Sequence, residues 1–328
     1  MSDVAILGAG VAGLCVAAEL VARGLRPRLI DRAGGPGAQA CSWWAGGMLA
    51  HFCEGETAEP EVVRLGQAAA DWWAAQGAEV TRAGTLVLAP ARDRAELARF
   101  AARTRGHRAV DDAGIAALEP DLAGRAREGL FFEDEAHLDP RAALGRLAAR
   151  LSEAGIDIEA GDTPPPGARV IDCRGWAARD SLPGLRGVRG EMVLLRCHDL
   201  ALRRTLRLLH PRVPVYLVPR GQGIYMLGAT MVESARPGPV TARALLELLS
   251  SAYALHPALS EAEVVETGAD IRPAFADNMP RVVERDGRIH LNGLYRHGFL
   301  MAPALAARVA DRLAGAGREE AGHAHHGQ

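Results

Sequence analysis

The sequence contains no lysine; all 38 of its basic residues are arginine. That excludes a Schiff-base lysine, a phosphate-loop lysine and an ε-amino general base. Aromatic residues make up only 5 %, with four tyrosines in the chain, so a tyrosine placed in a functional motif carries weight. The five cysteines (Cys15, Cys41, Cys53, Cys173 and Cys197) form no C-x-x-C pair, which argues against a zinc ribbon or a dithiol redox motif. No apolar run reaches the ~20 residues that a bilayer-spanning helix needs. No basic n-region with an apolar h-region precedes the first structured residue, so the expectation is a cytoplasmic protein with reduced thiols. The 38 basic residues are balanced by 40 acidic ones, without a basic block of the kind that neutralises phosphates, and nucleic acid is therefore not an expected partner. His51, His210 and His297 are not at metal-ligand spacing, so no metal is expected, and His323, His325 and His326 read as part of a frayed tail.

What the chain does have is 48 % hydrophobic residues over 328 positions, enough for two domains with packed cores. Val4-Ala5-Ile6-Leu7 reads as a buried strand. It leads into Gly8-Ala9-Gly10-Val11-Ala12-Gly13, a G-x-G-x-x-G turn, followed by an apolar helix from Leu14 to Ala22, a capping Gly24, and a second strand Arg28-Leu29-Ile30 ending at Asp31. Gly8 permits the tight turn, Gly10 lets backbone approach a pyrophosphate, and Gly13 lets helix and strand pack closely. Asp31 lies 18 residues beyond Gly13, where a carboxylate accepts ribose hydroxyls. Arg32 follows directly, but the acid at the strand end would repel a 2′-phosphate, so FAD or NAD is expected over NADP. An NAD dehydrogenase would continue with regular βα repeats. Here residues 39–50 instead form a Gly-rich turn broken by Trp43 and Trp44, which brings backbone close to something flat.

Four segments make the sequence resemble the D-amino-acid-oxidase-like flavoenzymes, and within them the glycine oxidases of thiamine biosynthesis. They are the N-terminal fingerprint; Ser42 to Ala50 (S-W-W-A-G-G-M-L-A); Val215 to Arg220 with Gly228-Ala229-Thr230-Met231; and Ile271-Arg272-Pro273 followed by Asn292 to Pro303. Asp31 stands where most of the family has Glu, and Asp172 and Arg174 are unusual around Gly175. The resemblance implies an α/β fold. A Rossmann-like FAD-binding domain, discontinuous over 1–80, 130–190 and 270–318, would interleave with an α+β substrate domain (81–129 and 191–269) on a largely antiparallel sheet, leaving 319–328 as a disordered tail. It implies non-covalent FAD held by Gly8, Gly10, Val11, Ala12, Gly13, Asp31, Arg32, Ser42, Gly46, Gly47, Met48, Gly175, Arg272, His297, Gly298, Phe299 and Leu300. It also implies a small amino-acid substrate with O2 as acceptor, and leaves a homo-oligomer open.

Oxidising an amine by hydride loss asks the protein to orient the substrate and balance its charge. A guanidinium is the strongest planar partner for a carboxylate, and Arg272, at a strand end before Pro273, is the candidate. Arg296 would assist substrate or flavin, Tyr216 would donate to the carboxylate, and Met48 would border the amine. No Lys, Asp or Glu in the cavity motifs stands out as a base, and none is required if the amine binds neutral. Pro303 is expected to open an Ala-rich helix running to Leu313, whose N-terminus would favour negative charge on the flavin. Trp72 and Trp73 read as helix packing within Glu61–Gln76. The expected activity is oxidative deamination of glycine to glyoxylate, ammonia and H2O2. The alternatives are a sarcosine or D-amino-acid oxidase, an amine dehydrogenase, and a non-catalytic flavin-binding redox sensor.

Overall fold

The computed structural model describes residues 3–210 and 212–324. Its first sheet grows from the strand–turn–helix unit. Val4–Leu7 is flanked in parallel by Arg28–Asp31 on one side and Arg169–Asp172 on the other, with Ile158–Ala160 and Arg288–Asn292 beyond them and Arg281–Arg285 closing one edge antiparallel. Strands covered on both faces are continuously apolar, and Ala5, Ile6 and Leu7 are all buried. The helix Val11–Ala22 lies against the C-terminal helix, Gly298–Ala324.

The second sheet has nine strands and is antiparallel apart from one parallel pairing, Thr205–Leu208 with Thr85–Leu88. Its longest members are Arg186–Arg196 and Glu263–Ala274, which pair along their whole length. Both run through positions, 190/191 and 269/270, at which a domain boundary is expected. Across this sheet Arg207, Tyr216, Gly228, Met192 and Gly268 stand opposite one another in register, which sets their side chains on one face. A small third sheet joins Met48–Leu49 and Val80–Thr81 to Ala136–Leu138.

Three elements differ from the sequence expectation. The single helix expected over Glu61–Gln76 is two, Pro60–Gly66 and Ala69–Ala75. The strand expected from Met192 begins at Arg186. The last helix begins at Gly298, with Pro303 inside it. Proline carries no N–H, so the carbonyl of Phe299 loses its intrahelical donor; the buried Trp73 indole N–H donates to it instead, at 2.8 Å. Trp73→Phe removes that donor and strands a buried carbonyl, and a loss of about 1–3 kcal/mol is expected in urea unfolding. A change within about 0.5 kcal/mol, the range of an ordinary surface substitution, would count against this role. Residues 319–324 belong to this helix, while 325–328, which include His325 and His326, lie outside the described residues.

Candidate active site

One cavity of about 540 Å³ runs from the glycine turn, past the Gly46–Gly47 turn, to the face of the nine-stranded sheet. At one end are Gly8, Gly10, Val11, Ala12, Asp31 and Arg32. Gly8 has φ +96°, and a Cβ there would sit 2.8 Å from the Cys173 carbonyl oxygen, so only glycine fits. The Asp31 carboxylate accepts from Ala9 N–H at 2.8 Å and Ala33 N–H at 2.9 Å, which fixes it beside the turn. Gly13 does not line the cavity; it lies against the Gly8 carbonyl, the close-packing position in the motif.

Gly175 lines the same stretch, and the unusual pair around it has a local cause. Asp172 is fully buried at its strand end and is held by the Arg174 guanidinium at 2.6 Å, which Asp180 also contacts at 3.0 Å. A buried acid is tolerated when it is paired in this way.

Ser42, Gly46, Gly47 and Met48 line the middle of the cavity. Gly47 has φ +70°. The turn is clamped by Arg220, which donates to the carbonyls of Leu138 at 2.5 Å and Gly46 at 2.8 Å. Burial lowers the Arg220 guanidinium to about 10, leaving it charged at neutral pH. Trp43 and Trp44 hold the other side, with the Arg141 guanidinium over both rings at 4.9 and 5.1 Å.

At the far end stand Tyr216 and Arg272. Tyr216 lies against Gly46 and Gly228, where an added Cβ would come within 2.7 and 2.8 Å of its ring. Burial pushes its hydroxyl above its ordinary value, so it remains a donor. Arg272 donates to the Thr230 carbonyl at 3.2 Å. Among the described residues no carboxylate lies within 4.0 Å of its guanidinium. A half-buried cation facing a cavity without a counter-ion awaits an anionic ligand.

Arg296 lines the cavity but is already engaged: its Nε lies 2.9 Å from Glu54 Oε2, and it also donates to the Thr57 hydroxyl. His297 does not line the cavity; its Nδ1 faces the same Glu54 oxygen at 3.3 Å, and burial lowers the ring to about 4, so it stays neutral. Gly298, Phe299 and Leu300 do line it. The first intrahelical bond runs from Met301 N–H to the His297 carbonyl, so the amides of those three residues have no acceptor inside the helix.

Acids outside the motifs that the sequence singles out also reach the cavity. Glu54, Glu191 and Asp270 all line it. The Glu54 carboxyl is opposed by burial but held below its ordinary value by Arg296, His297 and Arg207. Arg207 is shared between Glu54 at 3.4 Å and Glu56 at 3.1 Å. Glu191 accepts from Thr230 Oγ1 at 2.9 Å and from Thr241 N–H at 3.0 Å. Asp270 accepts from the Ile271 N–H at 2.7 Å. Glu54 and Glu191 are thus tied to charged or hydroxyl partners, whereas Asp270 accepts a single backbone N–H and burial raises its carboxyl above the ordinary value. Glu54 and Arg207 have no motif of their own; only the register that sets Arg207 opposite Tyr216 makes them neighbours of the site.

The cavity fits an extended dinucleotide flavin: a glycine turn and fixed carboxylate at one end, free helix amides and a Gly-lined turn in the middle, and an unpaired guanidinium beyond. The FAD dependent oxidoreductase family matches residues 3–312. The chain is 56 % identical over 310 residues to a Rhizobium etli protein named as the thiamine biosynthesis oxidoreductase ThiO, covering 93 % of this chain and 94 % of that one. It is 27 % identical to a glycine oxidase of Pseudomonas aeruginosa, across 95 % and 94 % of the two chains. The fold superposes on the crystal structure of glycine oxidase from Bacillus cereus with a TM-score of 0.79 at 22 % identity, covering 96 % and 95 %. With the family matched over almost its whole length and a cavity built to suit the coenzyme, the chain belongs to the FAD-dependent oxidoreductases, of the ThiO and glycine oxidase type.

Proposed function

We propose that the protein oxidises glycine, or a similarly small amino acid or secondary amine, at Cα. The products from glycine would be glyoxylate and ammonia, with H2O2 formed when oxygen takes up the electrons. The observation that carries this reading is Arg272, a guanidinium on the cavity wall with no carboxylate partner among the described residues. Arg272 would clasp the substrate carboxylate through paired N–H donors, and Tyr216 would add a third. Met48, after the Gly46–Gly47 turn, would border the amine and limit the size of the group that fits. Holding the amine unprotonated and its Cα–H bond aligned needs position more than a base. FAD, bound non-covalently, supplies the hydride acceptor.

Gly8, Gly10, Val11, Ala12, Asp31 and Arg32 would hold its dinucleotide end, with Gly13 keeping the turn against its strand. Ser42, Gly46, Gly47 and Gly175 would lie along its length, and the amides of Gly298 to Leu300 would face whatever negative charge develops near them. Arg296 and His297 would act through Glu54, holding the loop that ends in those amides. The name of the Rhizobium etli relative supports placing this activity in thiamine biosynthesis.

The test is anaerobic addition of glycine, sarcosine, D-alanine and D-proline to the yellow protein. Loss of flavin absorbance is expected, fastest with glycine. If none of the four bleaches the chromophore, the reading fails and a redox-sensing flavoprotein takes its place.

A further inference from the structure

Among the described residues Met231 is the one exposed methionine, at 48 %. It follows the Gly228-Ala229-Thr230 turn and lies on the cavity wall. Its Sδ is 3.5 Å from the hydroxyl of Tyr295, which lines the same cavity from the loop before the C-terminal helix. The contact is exposed to solvent and links the turn that carries Met231 to the loop that carries Tyr295, so it marks the cavity's solvent side. The other sulfurs there are less reactive. Burial, with Asp270 adding to it, pushes the Cys41 thiol up to about 12, and peroxide attacks thiolates rather than thiols. Met48 is half-buried and Met192 buried, both packed with Val218 and Met226. A thioether has no proton to lose, so exposure decides its oxidation.

We propose that Met231 is a peroxide-modification site: its sulfur takes oxygen from hydrogen peroxide at the cavity mouth, and the sulfoxide draws Tyr295 across that mouth. In the step, the sulfur lone pair attacks one peroxide oxygen, the O–O bond breaks, an S–O bond forms, and the other oxygen leaves as water after proton transfer. Sulfur is oxidised and peroxide reduced. Thioether sulfur is a weak acceptor; the sulfoxide oxygen is a strong one, and the Tyr295 O–H donates to it. Product peroxide would thus slow its own formation, an inference resting on the oxygen-reducing reading above.

The test treats the holoenzyme with dilute hydrogen peroxide, without amine, and maps oxygen incorporation by peptide mass spectrometry. Met231 is expected to be labelled first; labelling of Met48 or Met279 ahead of it overturns the site. Oxidation is then expected to raise KM for the amine active in the anaerobic screen about threefold, the size of one modest net hydrogen bond. Methionine sulfoxide reductase should reverse the rise. In Tyr295→Phe the label should appear without the KM change, and a rise that persists in that variant overturns the closure. Turnover in air, with and without catalase, separates the two readings. If added peroxide labels Met231 but turnover does not, the oxygen-reducing reading fails and the modification site stands.

Discussion

Arg272→Ala is expected to keep its yellow chromophore while KM for carboxylate-bearing amines rises about a hundredfold, the upper end for losing hydrogen bonds to a charged group at ~1.5–3 kcal/mol. Among the described residues the guanidinium has only the Thr230 carbonyl at 3.2 Å to satisfy it. Removing it therefore deprives the substrate more than the fold. Gly190→Ala supplies an independent check. Gly190 stands on the neighbouring strand where a Cβ would enter the space of the Arg272 guanidinium, so the substitution should displace Arg272 and raise KM in the same direction. Unchanged steady-state kinetics in both variants would remove Arg272 from the site.

Glu54→Gln is expected to cost stability, by about 3 kcal/mol, the lower end for breaking a buried ion pair. One carboxylate balances Arg296 at 2.9 Å and Arg207 at 3.4 Å; without it Arg207 keeps Glu56, and Arg296 keeps no acid among the described residues. The pH dependence has a definite sign. Arg296, His297 and Arg207 hold the Glu54 carboxyl below its ordinary value of 4.5 in the fold, against the opposing effect of burial. Its contribution is therefore complete above that value and lost as the pH falls through the depressed one. The difference between wild type and Glu54→Gln in denaturant should be constant near neutrality and close on acidification. A difference that stays constant down to acid pH would show that Glu54 acts by shape alone.

The dinucleotide end was legible because every residue in it acts locally. Gly8, Gly10 and Gly13 shape one turn, and Asp31 ends the next strand, so order and spacing carry the meaning. Arg272 and Tyr216 were legible only through the motifs around them, since a lone arginine among 38 says little. Glu54 and Arg207 were not legible. Their pairing depends on which strand lies beside Thr205–Leu208 and on where the short helix His51–Glu54 rests, both long-range facts. The start of the C-terminal helix was misplaced for a related reason. Proline at a first helical position is the commoner pattern, and only the distant Trp73 makes an internal Pro303 acceptable.

That peg has a consequence for the coenzyme. A helix whose opening turn is braced from outside cannot fray toward a ligand or relax away from one. The amides of Gly298, Phe299 and Leu300 are therefore preorganised, aimed before anything binds, and the cost of orienting those dipoles falls on folding rather than on turnover.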